Sequence, residues 1–425
     1  MTASVDRPID IDAPPRAGCC RFCGEPLQHR VVDLGASPLC ESYLREEDLN
    51  RMEPFYPLLV WVCPRCFLVQ LEEYVAGHDI FTEYAYFSSY SDSWLDHSRR
   101  YVDGMIARLG LTAEDRVVEV ASNDGYLLQY FVERGIPVLG IEPARNVAEV
   151  AVAKGVPTRV EFFGRETARK LAAEGVRPAL IHGANVLAQV HDLNDFVGGF
   201  GLLLAEGGTV TLEFPHLVRM IAENQFDTIY HEHFSYFSLH STEQILGAHG
   251  FQVYDVDVLP THGGSIRVHA ARTSDRSKTV SDRVLAVRRE EAEVGVARLE
   301  YYGSFEARVQ ETKRKLLTLL FAAKAAGKRV AGYGAPGKGN TLLNYCGIRT
   351  DLVDFTVDRN PYKQGRFLPG TRIPIHHPDR LREARPDYVL LLPWNLKDEL
   401  LQQLAFIREW GGRFIVPIPE PTILE

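Results

Sequence analysis

The sequence lacks any apolar run long enough to cross a bilayer, and it lacks an excess of basic residues. A membrane-spanning helix needs about 20 consecutive apolar residues, and no such run occurs among the 425 residues. Nucleic-acid binding requires a basic surface, whereas 47 Lys and Arg against 56 Asp and Glu give a formal net charge of −9. These absences argue against a membrane protein and against a dedicated nucleic-acid binder.

Targeting and low-complexity segments are also missing from the sequence. The opening residues, MTASVDRPIDIDAPPRAG, carry no apolar stretch behind a basic one, so we expect a flexible tail over residues 1–16 and a cytoplasmic protein. No internal repeat with a period of roughly 20–50 residues is present. With 45 % hydrophobic and 24 % charged residues, the chain is typical of a globular protein with two or three domains.

Cysteine is scarce in most of the chain, but six of the 7 cysteines precede residue 67. Two C-x-x-C pairs supply four soft thiolates, a set that suits a closed tetrahedral zinc site with a structural role. We expect a zinc-binding lobe over residues 17–72, with Cys19 able to replace Cys20 in the register, and redox use of the pairs as the alternative. The predicted metal ligands are Cys20, Cys23, Cys63 and Cys66.

From residue 116 onward, short apolar runs alternate with helical patterns, which predicts an α/β domain with a parallel sheet over residues 73–275. The segment EVASNDGYLL ends a strand and begins a helix, where backbone N–H groups face a ligand. It lacks the G-x-G-x-x-G loop that a pyrophosphate needs, so S-adenosylmethionine is the expected cofactor, with a plain structural turn as the alternative. The predicted cofactor-binding residues are Glu119, Ser122, Asn123, Asp124, Gly125, Tyr126, Glu142 and Asn185.

The segment IYHEHFSYFSLH gathers imidazoles, a carboxylate and phenols. A zincin motif would need a histidine at Ser235, so the metalloprotease interpretation fails. Histidine can exchange a proton near pH 7, and a neighbouring carboxylate can orient it. We therefore favour acid–base chemistry for the cluster as a whole, although any one histidine could be structural.

A second glycine loop, GYGAPGKGN, follows a strand in a second α/β block over residues 276–425. It nearly matches a phosphate-binding loop, but Gly339 replaces the hydroxyl residue that would hold magnesium. The loop should favour an anion such as the diphosphate of a nucleotide-linked substrate, with a structural turn as the alternative. The charged helical stretch from 281 to 329 favours a solvated connector. Predicted substrate-binding residues are Tyr90, His262, Tyr333, Lys338, Asn340, Lys363 and Arg366.

Taken together and in this order, the four-Cys lobe, EVASNDGYLL, YHEHFSYFSL, THGGSIR and GYGAPGKGNTLLNY resemble the sugar C-methyltransferases of deoxysugar biosynthesis. The resemblance implies a zinc-binding lobe, a class I (Rossmann-like) methyltransferase domain and a carboxyl-terminal Rossmann-like α/β domain. It also implies a nucleotide-activated, typically dTDP-linked, 4-keto-6-deoxy sugar as substrate, methylated at a carbon beside the ketone.

The resemblance also assigns roles to individual residues. The second histidine of the HEHF segment, His233, matches the catalytic base, with Glu232 and Tyr230 as flanking acid and phenol. Tyr86 matches a further active-site tyrosine. In the expected mechanism, Glu232 holds His233, which deprotonates the sugar, while Tyr86 and Tyr230 hydrogen-bond the enolate oxygen.

Other functions compete with methyl transfer at this point. A nicotinamide-dependent oxidoreductase would use the second glycine loop, and a non-catalytic zinc adaptor would only bind a sugar nucleotide or a protein. A nucleic-acid methyltransferase is disfavoured by the acidic charge. We expect a monomer whose partner is a small nucleotide sugar, with no nucleic acid and no membrane.

Overall fold

The computed structural model describes residues 9–77, 80 and 87–425. Its first sheet is antiparallel and contains β1 (His29–Ser37), β2 (Tyr56–Val62) and β3 (Val69–Leu71). The two C-x-x-C pairs flank β1 and β2, so folding of these strands brings the pairs together. Within the described ranges, no helix has the length and apolarity needed to span a membrane.

A second group of elements alternates strands and helices, as predicted. In chain order it contains α1 (Asp92–Leu109), β4 (Val117–Val120), α2 (Leu128–Glu133), β5 (Val138–Ile141), α3 (Arg145–Ala153), β6 (Thr158–Arg159), α4 (Arg165–Ala173), β7 (Leu180–Ala184), α5 (Leu193–Leu203), β8 (Thr209–Pro215), α6 (Leu217–Ala222), β9 (Ser235–Tyr236), α7 (Leu239–Ala248), β10 (Phe251–Leu259), β11 (Ser265–Arg272) and α8 (Asp282–Val294).

The middle sheet has the order β10-β11-β8-β7-β4-β5-β6. Its strands are parallel apart from β11, which runs antiparallel to both neighbours. The chain runs outward from β4 to β6 on one side, then returns to β7 and continues to the other side. This reversal opens a crevice at the carboxyl ends of β4 and β7, where doubly wound sheets bind their ligands. The predicted Rossmann-like fold is confirmed.

The short strand β9 does not join the middle sheet. It pairs with β3 instead, so that Val69 faces Tyr236 and Gln70 faces Ser235. The amino-terminal sheet therefore has the order β1-β2-β3-β9. The segment that follows the histidine cluster is thus anchored in the cysteine-rich lobe.

The carboxyl-terminal block begins with a long helix and contains a third sheet. Its elements are α9 (Phe305–Ala325), β12 (Val330–Tyr333), α10 (Gly337–Cys346), β13 (Thr356–Val357), β14 (Ile375–His376), α11 (Arg380–Ala384), β15 (Tyr388–Leu391), α12 (Lys397–Gln403), β16 (Arg413–Val416) and β17 (Thr422–Leu424). The order β14-β13-β12-β15-β16-β17 is parallel except for β17. A second crevice opens between β12 and β15.

The charged stretch before β12 differs from the predicted solvated connector. A helix–break–helix pattern is present, but α9 buries Phe305, Val309, Leu316 and Leu320 in the carboxyl-terminal core. Apolar residues at helical spacing form one buried stripe, while the charges occupy the other faces.

Two segments outside the predicted middle domain pack against it. Helix α8, which opens the predicted carboxyl-terminal domain, buries Val284 and Val287 in the middle core. Within the predicted flexible tail, Ile9 packs against the same core and Asp12 pairs with Arg165 at 2.8 Å. Residues 9–12 therefore lie against the middle domain.

Candidate active site

A cavity of about 370 Å³ lies at the carboxyl ends of β4, β5 and β7. Four of the predicted cofactor residues line it: Asn123, Tyr126, Glu142 and Asn185. Its volume falls in the range of small-molecule pockets, and the other walls combine aromatic rings with carboxylates. The switch point of the middle sheet therefore provides one enclosed ligand site.

Glu142, at the end of β5, is the best-anchored carboxylate of this cavity. Its Oε2 accepts a hydrogen bond from the backbone N–H of Asn123 at 2.9 Å, and its Oε1 accepts one from Ala144 at 2.8 Å. Burial raises the pKa of Glu142 to about 7. The two backbone bonds hold the carboxyl in place and leave further lone pairs for vicinal hydroxyls, which is how an acid at this position binds a ribose.

The two asparagines of the cavity share an uncommon backbone conformation. Asn123 has a φ of 47° and Asn185 a φ of 57°, values in the left-handed region that asparagine tolerates better than most residues. The Oδ1 of Asn123 accepts a hydrogen bond from the N–H of Ser88. The Oδ1 of Asn185 is buried and has no protein partner within the described chain. An unsatisfied buried acceptor in a ligand cavity fits an amino group of a bound molecule.

The remaining predicted cofactor residues lie beneath the cavity rather than on its wall. Glu119 and Ser122 are fully buried, and burial raises the pKa of Glu119 well above its usual range. Asp124 accepts a hydrogen bond from Lys154 at 3.2 Å. At Gly125, φ is +76° and a Cβ would lie 3.0 Å from Val156. These residues shape the turn that presents Asn123 and Tyr126.

Sequence reasoning missed most of the aromatic and acidic wall. Phe162 and Phe163 follow β6, and Trp94 comes from the first turn of α1. These side chains come from segments that are distant in sequence, and no local pattern distinguishes them from ordinary core aromatics. The wall residues not predicted include Trp94, Glu161, Phe162, Phe163, His191, Asp192, Asp195 and Phe234.

The histidine cluster lies beside this cavity, because Phe234 both follows His233 and lines the cavity wall. The Nδ1–H of His233 donates to the carbonyl oxygen of Thr228 at 3.0 Å. This bond leaves Nε2 as the free basic nitrogen. Burial lowers the pKa of His233 to about 4, so the ring is neutral at pH 7.

The neighbours of His233 have distinct positions. The ring of Tyr230 lies 4.0 Å from the His233 ring, centroid to centroid. The carbonyl of Thr228, rather than the expected Glu232, is the hydrogen-bond partner of Nδ1. Glu232 accepts a hydrogen bond from the Sγ of Cys40 at 3.2 Å. The Nε2 of His231 donates to the carbonyl of Pro57 at 3.1 Å, so His231 turns towards the cysteine-rich lobe. Tyr86 falls outside the described residues.

The second glycine loop, in the carboxyl-terminal domain, contacts the segment that carries these histidines. A Cβ on Gly337 would lie 2.9 Å from the Sγ of Cys40 and 3.6 Å from the Cζ of Tyr230. Thr341, on α10, donates to the carbonyl of Ile229 at 2.9 Å. The amino-terminal turn of α10 and the segment carrying His233 are therefore in direct contact.

Lys338 lies at the start of α10, in the crevice between β12 and β15. Its Nζ donates to the Oδ1 of Asn395 at 2.9 Å and lies 4.8 Å above the ring of Trp394. Burial lowers the pKa of Lys338, and Asp227 opposes that shift. The N–H of Trp394 donates to Asp227 at 2.6 Å, which joins the two domains across the cleft. Lys338 is the predicted cation that the structure best places to bind an anion.

The other predicted substrate residues occupy different positions. Tyr333 lines a second cavity of about 360 Å³, together with Arg359, His377 and Arg382. Asn340 is buried on α10, and Tyr90 is half exposed, with its ring 5.7 Å from that of Phe87.

Lys363 is only 5 % exposed. It donates to the carbonyl of Ala335 at 3.0 Å and pairs with Glu41 at 3.5 Å. Lys363 therefore supports the loop from within. Arg366 is partly buried nearby.

The four predicted metal ligands converge in the amino-terminal lobe, with their ligand atoms within 4.8 Å of one another. The Sγ atoms of Cys20 and Cys66 are 3.5 Å apart, as are those of Cys23 and Cys63. Zinc–sulfur bonds of about 2.3 Å in a tetrahedron would separate the sulfurs by about 3.8 Å. The spacing therefore fits a closed zinc site, and the predicted register with Cys20 is the one observed.

Three family models match successive parts of the chain. Residues 20–81 match a "Putative zinc binding domain", residues 94–256 a "Methyltransferase domain", and residues 260–419 a "C-methyltransferase C-terminal domain". The chain is also 40 % identical to the C-methyltransferase NovU of Streptomyces niveus over 420 residues, which covers 99 % of this chain and 98 % of NovU.

The chain belongs to this family of zinc-containing C-methyltransferases. It is an S-adenosylmethionine-dependent enzyme with zinc in its amino-terminal lobe. Membership favours methyl transfer over the oxidoreductase and adaptor alternatives. The middle-domain cavity suits the methyl donor, and the four thiolates suit the metal.

Solved structures similar to this C-methyltransferase cover less than half of its length. Magnesium protoporphyrin IX methyltransferase (ChlM) from Synechocystis PCC 6803, with bound SAH, has a TM-score of 0.34 and 15 % identity over 42 % of this chain and 83 % of that chain. An S-adenosylmethionine-dependent methyltransferase from Clostridium acetobutylicum ATCC 824 has a TM-score of 0.34 and 12 % identity over 42 % of this chain and 92 % of that chain.

Proposed function

We propose that this C-methyltransferase methylates a ring carbon adjacent to the ketone of a nucleotide-linked 4-keto-6-deoxy sugar, with dTDP as the nucleotide. The observation that carries the proposal is the position of His233. It lies between the middle-domain cavity and the glycine loop of the carboxyl-terminal domain, with Nε2 free. A base at that junction suits an acceptor that must be deprotonated before it can attack a methyl carbon.

The electrostatics of the cleft support a nucleotide sugar as the acceptor. Lys338 and the amino-terminal turn of α10 form an anion-binding corner in the second crevice. A diphosphate in that corner would hold the attached sugar close to Tyr230, because Gly337 is in contact range of that ring. The corner and His233 thus account for the anionic and the reactive ends of one substrate. A cytoplasmic reaction, where thiols stay reduced, suits the four thiolate ligands.

His233 performs the proton step in this proposal. Its Nε2 takes the proton from the carbon beside the ketone, and the electron pair of that C–H bond moves into an enolate. The Thr228 carbonyl fixes the tautomer, since Nδ1 already carries a proton that it donates. The resulting imidazolium later releases its proton to solvent. General bases of this type contribute about 10²–10⁴-fold to the rate.

Tyr230 stabilises the charge that develops on the sugar oxygen. Its ring lies 4.0 Å from that of His233, so a sugar that reaches one also reaches the other. Tyr86 shares this role in the proposal. Bound S-adenosylmethionine supplies the electrophilic methyl carbon. Glu142 and Asn185 hold the donor so that the methyl group faces the cleft, and such alignment is a major source of the rate.

The proposal is tested by the product. The enzyme is incubated with carbon-13 methyl-labelled S-adenosylmethionine and a panel of 4-keto-6-deoxy sugar nucleotides, and the products are analysed by mass and carbon NMR. We expect one labelled carbon bonded to a ring carbon beside the ketone. The matched 4-hydroxy sugar nucleotides, which cannot form an enolate, should give no product. Labelling on oxygen or nitrogen, or methylation of the 4-hydroxy controls, would reject the proposal.

A further inference from the structure

The turn between β10 and β11 places a strained histidine at the edge of the methyl-donor cavity. His262 has a φ of 55° and is followed by Gly263 and Gly264 at φ values of 93° and 112°. Non-glycine residues in this region cost energy and cluster at functional sites. The strain at His262 thus calls for an explanation beyond turn formation.

Surrounding side chains hold the His262 ring from two sides. Asn185, on the cavity wall, places its Nδ2 3.0 Å from the Nε2 of His262. The ring of Trp94, also on that wall, meets His262 edge-on with centroids 5.1 Å apart. The orientation of the imidazole is therefore determined by two residues that line the donor site.

The backbone of the turn is held with equal firmness. Thr261 donates to the Oε1 of Glu213 at 3.0 Å, and Arg267 pairs with the other oxygen of Glu213 within the sheet. A Cβ on Gly263 would lie 2.8 Å from Trp394, so the turn also packs against the carboxyl-terminal domain. His262 is therefore held in place between the methyl-donor cavity and the crevice of the carboxyl-terminal domain.

The hydrogen bond from Asn185 determines the tautomer. An amide nitrogen can only donate, so Nε2 of His262 accepts and the ring proton of the neutral form lies on Nδ1. Burial, with the charge of Lys338, lowers the pKa of His262 to about 4, so the neutral form prevails at pH 7. Within the described chain, Nδ1 makes no hydrogen bond to the protein, and the ring is partly exposed. Nδ1–H is thus available to a ligand.

Trp394 connects the turn that carries His262 with the segment that carries His233. A Cβ on Gly263 would lie 2.8 Å from the ring of Trp394, and the Nζ of Lys338 lies 4.8 Å from the same ring. The indole N–H of Trp394 donates to Asp227, which precedes the Thr228 carbonyl that holds His233. The turn with His262, Lys338 and the segment with His233 therefore surround one cleft. A ketone oxygen is separated by only two bonds from the carbon that His233 deprotonates. A hydrogen-bond donor that lines the same cleft on the cofactor side is therefore suited to bind that oxygen.

We infer that His262 is a catalytic residue whose Nδ1–H donates a hydrogen bond to the ketone oxygen of the acceptor and holds it as the enolate forms. This inference rests on the proposed function. No proton is transferred in the step, because the neutral imidazole donates before and after deprotonation by His233. Neutral histidine is suited to this task, since it polarises a carbonyl without protonating it.

Two amide substitutions separate the two ring nitrogens. The amide nitrogen of asparagine replaces Nδ1, and asparagine tolerates a positive φ, whereas the amide nitrogen of glutamine replaces Nε2. We expect His262→Asn to keep kcat within about 10-fold of the wild type. His262→Gln and His262→Ala should lose about 10²–10³-fold in kcat, the usual effect of removing one such donor. All three should keep the KM for S-adenosylmethionine within a few-fold.

The assay measures methylation together with solvent deuterium uptake beside the ketone. It therefore distinguishes failure of the proposed function from failure of the role assigned to His262. If the wild type neither methylates nor exchanges, the proposed function and this inference both fall. If the wild type does both but the His262→Gln and His262→Asn variants are equally active, only the assignment of Nδ1–H is wrong. If the His262→Ala variant keeps wild-type kcat, the catalytic role itself is wrong.

Nitrogen-15 NMR of histidine-labelled enzyme provides a check that does not depend on turnover. The His262 signals are assigned by their loss in His262→Asn. We expect a protonated Nδ1 and an unprotonated Nε2 at pH 7 in the free enzyme. The reverse tautomer would overturn the inference, whatever the kinetics show.

Discussion

Gln70 of the zinc lobe pairs with Ser235 in an antiparallel ladder. Ser235 lies two residues after His233 in the sequence. Its side chain also contacts the metal centre, since Nε2 donates to the Sγ of Cys20 at 3.2 Å and Oε1 accepts from the N–H of Arg21 at 2.9 Å. One glutamine therefore joins a zinc ligand to the strand that follows the proposed base. The zinc lobe supports the position of His233 as well as its own fold.

Gln70→Ala should weaken this support. Loss of a partner that hydrogen-bonds a metal ligand typically costs about 10–100-fold in metal affinity or activity. We expect kcat to fall by a factor in that range, with faster hydrogen exchange at the amides of Ser235 and Tyr236, measured by mass spectrometry alongside zinc content. Gln402→Ala, at an exposed position on α12, is the matched control. Unchanged exchange at β9 in a Gln70→Ala protein would show that the ladder does not depend on this side chain.

Glu142→Gln should weaken binding of the methyl donor. Glutamine has only one amide oxygen, so it cannot accept from both Asn123 and Ala144 and also from ribose. Hydrogen bonds to charged groups contribute about 1.5–3 kcal/mol, which predicts an increase of about 10–150-fold in the Kd measured by isothermal titration with S-adenosylmethionine. Glu149→Gln, on the exposed face of α3, should bind normally. Equal affinity of the two variants for S-adenosylmethionine would show that Glu142 does not bind the methyl donor.

Gly125→Ala and Gly104→Ala form a pair that isolates the tight turn after β4. Gly125 has a φ of +76°, and a Cβ added there would lie 3.0 Å from Val156 and 3.2 Å from Ala151. A Cβ on Gly104 would meet nothing within 4 Å. We expect Gly125→Ala to lower the free energy of unfolding by roughly 1–3 kcal/mol. In α1, Gly104→Ala should raise it by roughly 0.5–1 kcal/mol. Urea denaturation measures both free energies of unfolding. A Gly125→Ala protein as stable as the wild type would contradict the strain inferred at this turn.

The low pKa of His233 predicts the acid limb of the pH profile. A base works in its deprotonated form, and burial lowers its pKa from the usual 6.5 to about 4. Activity should therefore persist as pH falls through 6 and decline only as pH approaches 4. The measurement is kcat/KM for the sugar nucleotide against pH at saturating S-adenosylmethionine, which reports groups of the donor-bound enzyme and so keeps the titration of Glu142 out of the profile. Circular dichroism at each pH confirms folding. An inflection near pH 6.5 would contradict the buried position of the ring.

The zinc ligands and the strand–helix order were predictable because both are local in sequence. Two C-x-x-C pairs define four thiolates without any tertiary information, and the short β-branched runs that become β4 and β5 alternate with helical patterns. Glu142 was predictable for the same reason, since it follows β5 directly. At these positions, spacing along the chain determines the environment.

Other features depend on contacts between distant segments, which no local pattern contains. Nothing in the sequence indicates that Ser235 pairs with Gln70, or that Thr228 rather than Glu232 would hold His233. Lys363 looked like a free cation because its partner, Glu41, is far away in sequence. The wall formed by Trp94, Phe162 and Phe163 likewise assembles only when the first turn of α1 meets the loop after β6.

Solvent deuterium uptake tests the central assignment most directly. The wild type, His233→Asn and His231→Asn are incubated in heavy water with S-adenosylhomocysteine and the 4-keto sugar nucleotide, and deuterium beside the ketone is followed by NMR. Binding of S-adenosylhomocysteine confirms that each variant is folded. We predict uptake by the wild type and by His231→Asn, and a loss of about 10²–10⁴-fold in His233→Asn. Uptake by His233→Asn at the wild-type rate would contradict the role of His233 as the base.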